Sequence, residues 1–289
     1  MTYRHLIEAL PAPNFFGYTP LSFQEEQIGY IDQQYISLLD EFPKIFQFVL
    51  GNRIGMFSQE FVEMSVSSRS HALADVSQFL NDSGVIYNWR DELFSIYADA
   101  ERTEELFRIE RGVLPIFGFQ AHGVHLNGYT MINGEPYIWI AQRSKQRKVA
   151  PLKYDQMVAG GLPSDLSLMD NVCKEADEEA RIPEQLVRQA VAVGNIQYIT
   201  STETSFGLRN DVLHCYDLEL PNDFEPYNQD GEVEEFICLH VNDICKLLKQ
   251  ENVFKANTAW VMLHFLLRHN WLDVEEDERI YLMKKLSIN

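Results

Sequence analysis

The first part of the chain mixes helix-like and strand-like spacings of hydrophobic residues. Residues 32–48 have a roughly helical apolar stripe that is interrupted at Pro43, where a helix would lose a backbone hydrogen bond. Residues 70–80 repeat the helical spacing after a serine-rich opening. No chemical motif stands out in this part, and its pattern predicts a compact α+β unit over residues 1–110.

From about residue 111 onwards, runs of β-forming residues dominate. Residues 117–131 and 137–141 are dense in strand-forming side chains, and Asn133-Gly134 between them is a typical hairpin turn. Further strand-like runs cover residues 156–159, 194–200, 211–220 and 236–241. Strands that are joined by tight turns predict a sheet in this second part of the chain.

Two helices are predicted among these strands. Residues 168–182 follow Ser167, a residue type that caps helices, and Pro183 helps to end this helix. Residues 260–268 form a second apolar helical stretch near the C-terminal end. These strands and helices make up the second part of the chain, residues 111–289, which follows the α+β unit.

The charge balance limits the partners that we expect. Of 289 residues, 24 are Lys or Arg and 43 are Asp or Glu, which gives a formal net charge of −19. Such a chain repels phosphate backbones and anionic membranes, so neither is predicted as a general partner. A small anionic substrate can still bind if a cation or a local basic pocket reverses the sign.

The apolar content and the cysteines indicate a folded protein of a reducing compartment. The hydrophobic fraction of 46% allows a packed core. No apolar run approaches the ~18 residues that span a bilayer, and no signal-peptide pattern opens the chain. The four cysteines form no C-x-x-C pair, which favours free thiols over a disulfide or a zinc site. We therefore predict a cytoplasmic location.

The predicted helix over residues 168–182 carries three glutamates on one face. At about 100° per residue, Glu175, Glu178 and Glu179 fall within a ~100° sector of one helix face. Like charges at this spacing each cost a few tenths of a kcal/mol, and a divalent cation would turn that cost into a gain. Oxygen ligands suit Mg²⁺ or Mn²⁺. The alternative is a solvated face of an acidic protein.

A glycine turn before this helix favours the metal interpretation. Gly160-Gly161 follows a predicted strand, and a strand, a glycine loop and an acidic helix together are typical of sites that bind phosphate and metal. Arg143, at the start of a basic stretch, and Arg209, just after Phe206-Gly207, are candidate phosphate contacts. A solvated hairpin and a surface salt bridge are the respective alternatives for these two arginines.

Residues 160–182 resemble the Nudix box, G-x5-E-x7-R-E-U-x-E-E-x-G-U, in which U is a bulky aliphatic residue. Gly160 matches the first glycine, Lys174-Glu175 stands for Arg-Glu, and Glu178-Glu179 matches Glu-Glu, with no insertion before Ile182. The departures from the box are Leu166 for the early glutamate, Lys174 for arginine, Ala176 for a bulky residue and Arg181 for the late glycine. All three glutamates that usually hold the metal are present.

A wider resemblance covers nearly the whole chain. Six segments are similar to a Nudix subfamily that is related to thiamine pyrophosphokinase and has an extra N-terminal domain: residues 88–92, 158–161, 174–180, 216–221, 230–234 and 254–257. The resemblance implies a Nudix α/β/α sandwich preceded by a small α+β domain. It also implies hydrolysis of thiamine diphosphate, or of its oxy and oxo analogues, to the monophosphate.

These features predict a diphosphate hydrolase. The expected cation, held by Glu175, Glu178 and Glu179, would neutralise the diphosphate and orient a water molecule. One of these glutamates, or Glu232 from a later loop, would accept the proton; the sequence does not choose among them. Gly160, Gly161, Arg143 and Arg209 would contact the substrate. A non-catalytic module that binds a nucleotide or cofactor, and an isomerase on the same fold, remain alternatives, and the oligomeric state is left open.

Overall fold

The computed structural model describes residues 2–49, 54–99, 101–201 and 207–288. The strands are β1 (Tyr18–Phe23), β2 (Glu26–Asp32), β3 (Phe46–Val49), β4 (Ile54–Phe57), β5 (Leu93–Tyr97), β6 (Glu105–Glu110), β7 (Gln120–Ile132), β8 (Glu135–Arg143), β9 (Tyr154–Gln156), β10 (Val158–Gly161), β11 (Val191–Ser201), β12 (Leu208–Glu219) and β13 (Val233–His240). The helices are α1 (Arg4–Glu8), α2 (Ile36–Leu39), α3 (Gln59–Val62), α4 (Val66–Asp82), α5 (Leu114–Phe117), α6 (Leu168–Ala180), α7 (Glu184–Val187), α8 (Val241–Leu248), α9 (Ala256–Arg268) and α10 (Glu276–Lys285).

The N-terminal part is built on two small sheets and an aromatic core. One sheet has the strand order β2-β1-β4-β3, and the other pairs β5 with β6, on which α4 packs. The core between them holds several phenylalanine rings, including Phe57 and Phe61 with their centroids 4.7 Å apart. Mixed helices and strands around one core confirm the α+β character that was predicted for this part.

The second part is a seven-stranded sheet between two layers of helices. Its order is β11-β12-β7-β8-β13, with β10 paired to β7 and β9 paired to β8. Val124 and Leu126 of β7 pack with α6 on one side, whereas Ile138 and Ile140 of β8 pack with the C-terminal helices. This arrangement confirms the predicted α/β/α sandwich. Among the described residues, no helix is long and apolar enough to cross a membrane.

Local sequence signals placed most elements of this second part correctly. Asn133 and Gly134 adopt φ angles of 54° and 84° in the β7–β8 turn, which confirms the predicted hairpin. The Ser167 side chain accepts a hydrogen bond from the Asp170 backbone N–H at 3.2 Å and caps α6 as predicted.

The helical stripe that residues 32–48 predicted is wrong for most of its length. Helix α2 has only four residues, and the chain is already in strand β3 at Phe46. Pro43 explains the early end of the helix, because proline supplies no backbone N–H to continue it. The apolar residues of this segment are nevertheless buried in one core. Their spacing therefore reflects which side chains are buried and does not indicate a continuous helix.

Packing does not follow the predicted domain boundary at residue 110. Leu6 of α1 lies in the core of the C-terminal helices, and its carbonyl accepts a hydrogen bond from the Trp260 indole at 2.8 Å. Conversely, Phe117 and Phe119 pack in the aromatic core of the N-terminal part. The two parts are therefore interlocked, and the division into residues 1–110 and 111–289 stays a prediction.

One buried carboxylate ties the sheet to α9. Asp217 of β12 is 7% exposed and accepts two hydrogen bonds of 2.9 Å from the Arg268 guanidinium and one of 3.0 Å from Asn127. Its side chain also lies 2.9 Å from the His269 ring. Helix α9 also bonds to two residues of the pocket described below, because the Thr258 hydroxyl donates to Asp155 and the Thr258 carbonyl accepts from Gln156. The Asp217 ion pair therefore fixes a helix that supports that pocket from behind.

Replacing Asp217 by Asn should therefore destabilise the protein. The Asn amide cannot accept both Arg268 hydrogen bonds, and breaking a buried ion pair costs roughly 3–5 kcal/mol. Urea unfolding measures the loss. The control is Asp243→Asn, which removes an exposed 2.7 Å pair with Lys246 and should cost less than about 1 kcal/mol. Equal and small losses in both variants would mean that Asp217 does not anchor α9.

Candidate active site

Helix α6 carries the three glutamates, and its C-terminal end is closed by a distant loop. Arg181 turns the chain into the left-handed region, with φ 54°. The backbone N–H groups of Tyr227 and Gln229 then donate to the carbonyls of Ala180 and Glu178, at 3.1 and 3.3 Å. The last carbonyls of a helix need such partners. The same bonds fix the start of the loop that continues into β13.

This loop brings two further carboxylates to Glu179. Oxygens of Glu179, Asp230 and Glu232 lie within 4.8 Å of one another, and we call these three residues the acidic cluster. The turn is held from inside, because the Asn228 side chain accepts from the Gly231 N–H and Asp230 accepts from the Glu232 N–H, both at 2.8 Å. The cluster therefore rests on an ordered turn.

Glu179 is the buried member of the acidic cluster. It is 8% exposed, and its Oε2 accepts a hydrogen bond from the Ala159 backbone N–H at 2.8 Å. Burial raises the pKa of Glu179 well above its ordinary value, and the neighbouring charge of Glu175 raises it further. A buried carboxylate beside other carboxylates is costly when ionised. A cation at this position would remove that cost.

Glu179 and Glu232 of the acidic cluster line a narrow pocket. The pocket is lined by Ala141, Arg143, Asp155, Gln156, Ala159, Glu179, Glu232 and Val233. Both signs of charge are present on its walls. Its lining therefore offers carboxylate oxygens to a cation, with the Arg143 guanidinium beside them.

Asp155 organises the basic side of this pocket. Its carboxylate lies 2.8 Å from Arg143 Nη1 and 3.2 Å from Lys255 Nζ, and it also accepts a hydrogen bond from the Thr258 hydroxyl. Burial alone would raise the pKa of Asp155, but Lys255 and Arg143 outweigh burial and hold it well below its ordinary value. Two cations on one anion leave this group with a net positive charge.

Arg143, a predicted substrate contact, is tied down by this group. Besides Asp155, its guanidinium donates to the carbonyl of Val149 at 2.9 Å and to that of Ala150 at 3.2 Å. These bonds close the loop of residues 144–153. Arg143 lines the pocket, but most of its donors hold the loop and Asp155.

The other two glutamates of α6 lie outside the acidic cluster. Lys174 Nζ stands between them, 3.1 Å from Glu175 Oε1 and 2.8 Å from Glu178 Oε2. The Glu178 side chain is 48% exposed, whereas burial raises the pKa of Glu175. Of the three predicted metal ligands, the structure therefore brings only Glu179 into the cluster in the described part of the chain. Glu232, the predicted loop carboxylate, is also a member.

Side chains fill the space beside Gly160 and Gly161, the two glycines that were predicted to contact the substrate. A Cβ atom on Gly160 would lie 2.1 Å from Cδ of Glu175, so the glycine makes room for that carboxyl group. A Cβ atom on Gly161 would lie 2.8 Å from the Phe94 ring and 3.1 Å from Arg111 Nη2. The turn thus receives side chains from the N-terminal part. That both glycines bind substrate stays a prediction.

Arg209, the remaining predicted contact, lies elsewhere. Its guanidinium donates to Asp211 at 2.7 Å, and it is not one of the residues that line the pocket of the acidic cluster. The preceding residues 202–206, which include the Phe206 of the sequence argument, lie outside the described residues. A phosphate contact from Arg209 therefore stays a prediction.

Sequence reasoning missed Asp230 and Asp155. Asp230 precedes Gly231-Glu232, and an acid on each side of a glycine turn could have indicated a shared site. Asp155 is an acid within a short strand-like run, which is a signal of a buried ion pair when basic residues are near. Their partners are distant in sequence, so neither role follows from local spacing.

Comparisons with known proteins identify the family. Nudix hydrolase 20, chloroplastic, of Arabidopsis thaliana is 36% identical over 274 residues, which cover 93% of this chain and 72% of that protein. Nudix hydrolase 24, chloroplastic, of the same plant is 34% identical with the same coverage. Residues 8–121 match the model of a domain of unknown function, DUF4743. The chain belongs to the Nudix hydrolase family.

The chain also has a weaker similarity to solved structures. The crystal structure of DR0079 from Deinococcus radiodurans has a TM-score of 0.45 and 16% identity, and it covers 60% of this chain and 98% of that chain. An uncharacterized protein of Saccharomyces cerevisiae is 30% identical over 204 residues, which cover 66% of this chain and 58% of that protein.

Family membership confirms that the protein is a hydrolase and indicates a diphosphate compound as its substrate. Nudix hydrolases generally use divalent metals, and the acidic cluster is a candidate site for one. The names of the relatives do not test the predicted relation to thiamine pyrophosphokinase. They contain the word chloroplastic, so the cytoplasmic location that the sequence predicted stays a prediction.

The raised pKa of Glu179 predicts how stability depends on pH without metal. Free glutamate titrates at about 4.3. A folded pKa above this value contributes stability that is present below about pH 4 and is lost as pH rises through the folded pKa. In chelator, Glu179→Gln should therefore match the wild type near pH 4 and unfold at a higher temperature than the wild type near pH 8.

The matched control is Glu276→Gln, which changes an exposed glutamate in α10 and should leave the thermal midpoint unchanged at both pH values. Addition of Mg²⁺ or Mn²⁺ should stabilise the wild type, because a ligand that binds only the folded state raises the midpoint. It should stabilise Glu179→Gln much less. A Glu179 variant that is less stable than the wild type at pH 8 would contradict this electrostatic account.

Proposed function

We propose that this protein hydrolyses the phosphoanhydride bond of a small diphosphate compound with the help of Mg²⁺ or Mn²⁺ at the acidic cluster. The observation that carries the proposal is the convergence of Glu179, Asp230 and Glu232 within 4.8 Å, at a pocket that Arg143 also lines. Three carboxylates without sulfur or imidazole are the donor set that hard divalent cations prefer.

The raised pKa of Glu179 supports the same site, because its buried charge is poorly compensated by protein groups. Glu175 and Glu178 were also predicted as ligands from the sequence, but they lie outside the acidic cluster and do not hold the ion in this proposal. Glu175 is close enough to Glu179 for its charge to raise the pKa of Glu179. When bound, the ion would neutralise developing phosphate charge and lower the pKa of a bound water molecule.

The residues of the chain have distinct roles in this proposal. Glu179, Asp230 and Glu232 hold the ion, and the basic group around Asp155 attracts the diphosphate. Glu175 is the best candidate for the general base, because its pKa is raised and it lies outside the cluster, beside Gly160. The predicted substrate contacts are Gly160, Gly161, Arg143 and Arg209.

The proposed substrate class is thiamine diphosphate and its oxy or oxo analogues. The support is the resemblance of six segments to the Nudix subfamily related to thiamine pyrophosphokinase. Beyond Gly161, residues from both sides of the predicted boundary line a narrow cleft beside the proposed phosphate site: Ser95, Tyr97, Arg102, His122, Leu162 and Pro163. Tyr97 supplies an aromatic ring on this side of the glycine turn. The net charge of −19 favours a small molecule over a nucleic acid.

Turnover should depend on Glu179 and much less on exposed glutamates. Glu179→Gln keeps the hydrogen bond from Ala159 but removes one ligand charge, so turnover at saturating Mg²⁺ should fall by orders of magnitude. Glu276→Gln should leave turnover nearly unchanged. Release of inorganic phosphate is the measurement. Near-normal turnover in the Glu179 variant would remove the acidic cluster from the mechanism.

A panel of diphosphates tests the organic half separately. With Mg²⁺ or Mn²⁺, we expect kcat/KM to be higher for thiamine-type diphosphates than for nucleoside triphosphates or dinucleotides. The opposite order would overturn the substrate class but not the hydrolase assignment. Tight binding of every diphosphate without phosphate release would overturn the proposed activity.

A further inference from the structure

An arginine side chain reaches into the acidic cluster. Arg147, in the loop of residues 144–153, forms an ion pair with Glu232 through Nη1 and Oε1. The two side chains are 33% and 39% exposed. The backbone supports this contact, because the Ser144 N–H donates to the Glu232 carbonyl at 2.8 Å and the Arg147 N–H donates to the Ser144 carbonyl at 3.1 Å. The loop and the acidic turn are therefore held side by side.

The surroundings of Arg147 are crowded with like charge. Burial lowers the pKa of its guanidinium, and the nearby Arg143 and Arg90 lower it further, whereas Glu179 and Asp155 oppose them. Repulsion from two other arginines disfavours this position. The attraction that keeps Arg147 there comes from Asp155 and from Glu179 and Glu232 of the acidic cluster, where the proposed function puts the divalent cation.

Arg143 and Arg147 differ in how their donors are used. Arg143 is committed to Asp155 and to two loop carbonyls. Within the ranges that the structure describes, the Arg147 guanidinium has Glu232 as its ion-pair partner. A guanidinium has five N–H donors, and it can bind a phosphate group with two of them at once. Arg147 can therefore change partner without breaking a network.

We propose, on the basis of the proposed function, that Arg147 is a phosphate-binding residue that exchanges partners. In the metal-free protein it neutralises Glu232, and it leaves Glu232 for a phosphate group of the substrate when a divalent cation binds. A guanidinium and a divalent cation repel each other, so both cannot share Glu232 favourably. Because the loop is anchored at Ser144, the released side chain stays at the same pocket.

This exchange makes two predictions of opposite sign. Without substrate, Arg147 competes with the cation for Glu232, so it lowers the affinity for metal. With metal bound, Arg147 contacts the diphosphate, so it raises the affinity for substrate. Binding of metal and binding of substrate should therefore favour each other through this residue.

The test uses the full chain with Arg147→Gln, which removes the charge and the fork of donors. Calorimetric titration of the substrate-free variant with Mn²⁺ should show a dissociation constant roughly fivefold lower than that of the wild type, as expected for loss of a competing, half-exposed ion pair. With thiamine diphosphate as the substrate, KM should rise about tenfold or more, with a smaller change in kcat.

Two further variants separate the effect of the two-pronged guanidinium geometry from the effect of the positive charge. Lys145→Gln removes an equal charge from an exposed position in the same loop and should leave both the Mn²⁺ affinity and KM near the wild type. Arg147→Lys keeps the charge but loses the two-pronged geometry. It should keep a metal affinity closer to the wild type, while KM remains raised.

Each outcome decides the proposal. Unchanged or weaker Mn²⁺ binding in Arg147→Gln, or an unchanged KM, would overturn the exchange of partners. Equal effects in Lys145→Gln would also overturn it, because they would reflect general charge alone. A wild-type chain that binds neither Mg²⁺ nor Mn²⁺ would instead overturn the proposed function, and this inference would fall with it.

Discussion

The closure of the C-terminal end of α6 by the loop before β13 is the contact on which the site depends. Arg181 and Ile182 donate back to Asp177 and Ala176, at 3.2 and 3.1 Å, as the helix turns off. The remaining carbonyls of the last turn find partners in residues 227–229. Unpaired helix carbonyls at a partly buried end are costly, so the helix needs this loop for its own stability.

The same loop delivers two of the three carboxylates of the acidic cluster. Asn228 donates to the Glu179 carbonyl and, within its own turn, to Asp230. A shift of the loop would therefore disperse the cluster and uncap the helix together. The hydrogen bonds that cap the helix lower the free energy of the fold, whereas bringing three carboxylates together raises it. The same loop does both. In this way, local hydrogen bonds hold an electrostatically strained group in position.

Local and long-range signals explain what the sequence could and could not predict. The β7–β8 hairpin and the start of α6 follow from residues next to one another, such as Asn133-Gly134 and Ser167, and both were predicted correctly. The acidic cluster joins residues about fifty positions apart through hydrogen bonds to a helix end, which no periodicity encodes. Glu179 and Glu232 could thus be named separately as candidates, whereas Asp230 was missed. The pairing of Lys174 with Glu178 could have been predicted from their i,i+4 spacing. The assignment of the three glutamates to one helix face did not take Lys174 into account.

The interlocking of the two parts gives the N-terminal part a direct bearing on the site. Phe94 and Arg111 occupy the space beside Gly161, and Arg111 is held there by a 2.7 Å ion pair with Glu92. The glycine turn of the Nudix box is therefore shaped on one side by Glu175 and on the other by side chains that precede β7. Since α1 completes the core around α9 and α10, and α5 completes the aromatic core of the first part, neither part buries its apolar surface alone. The glycine turn is thus shaped by both parts of the chain, and the core that supports the pocket and the acidic cluster is completed by residues of α1.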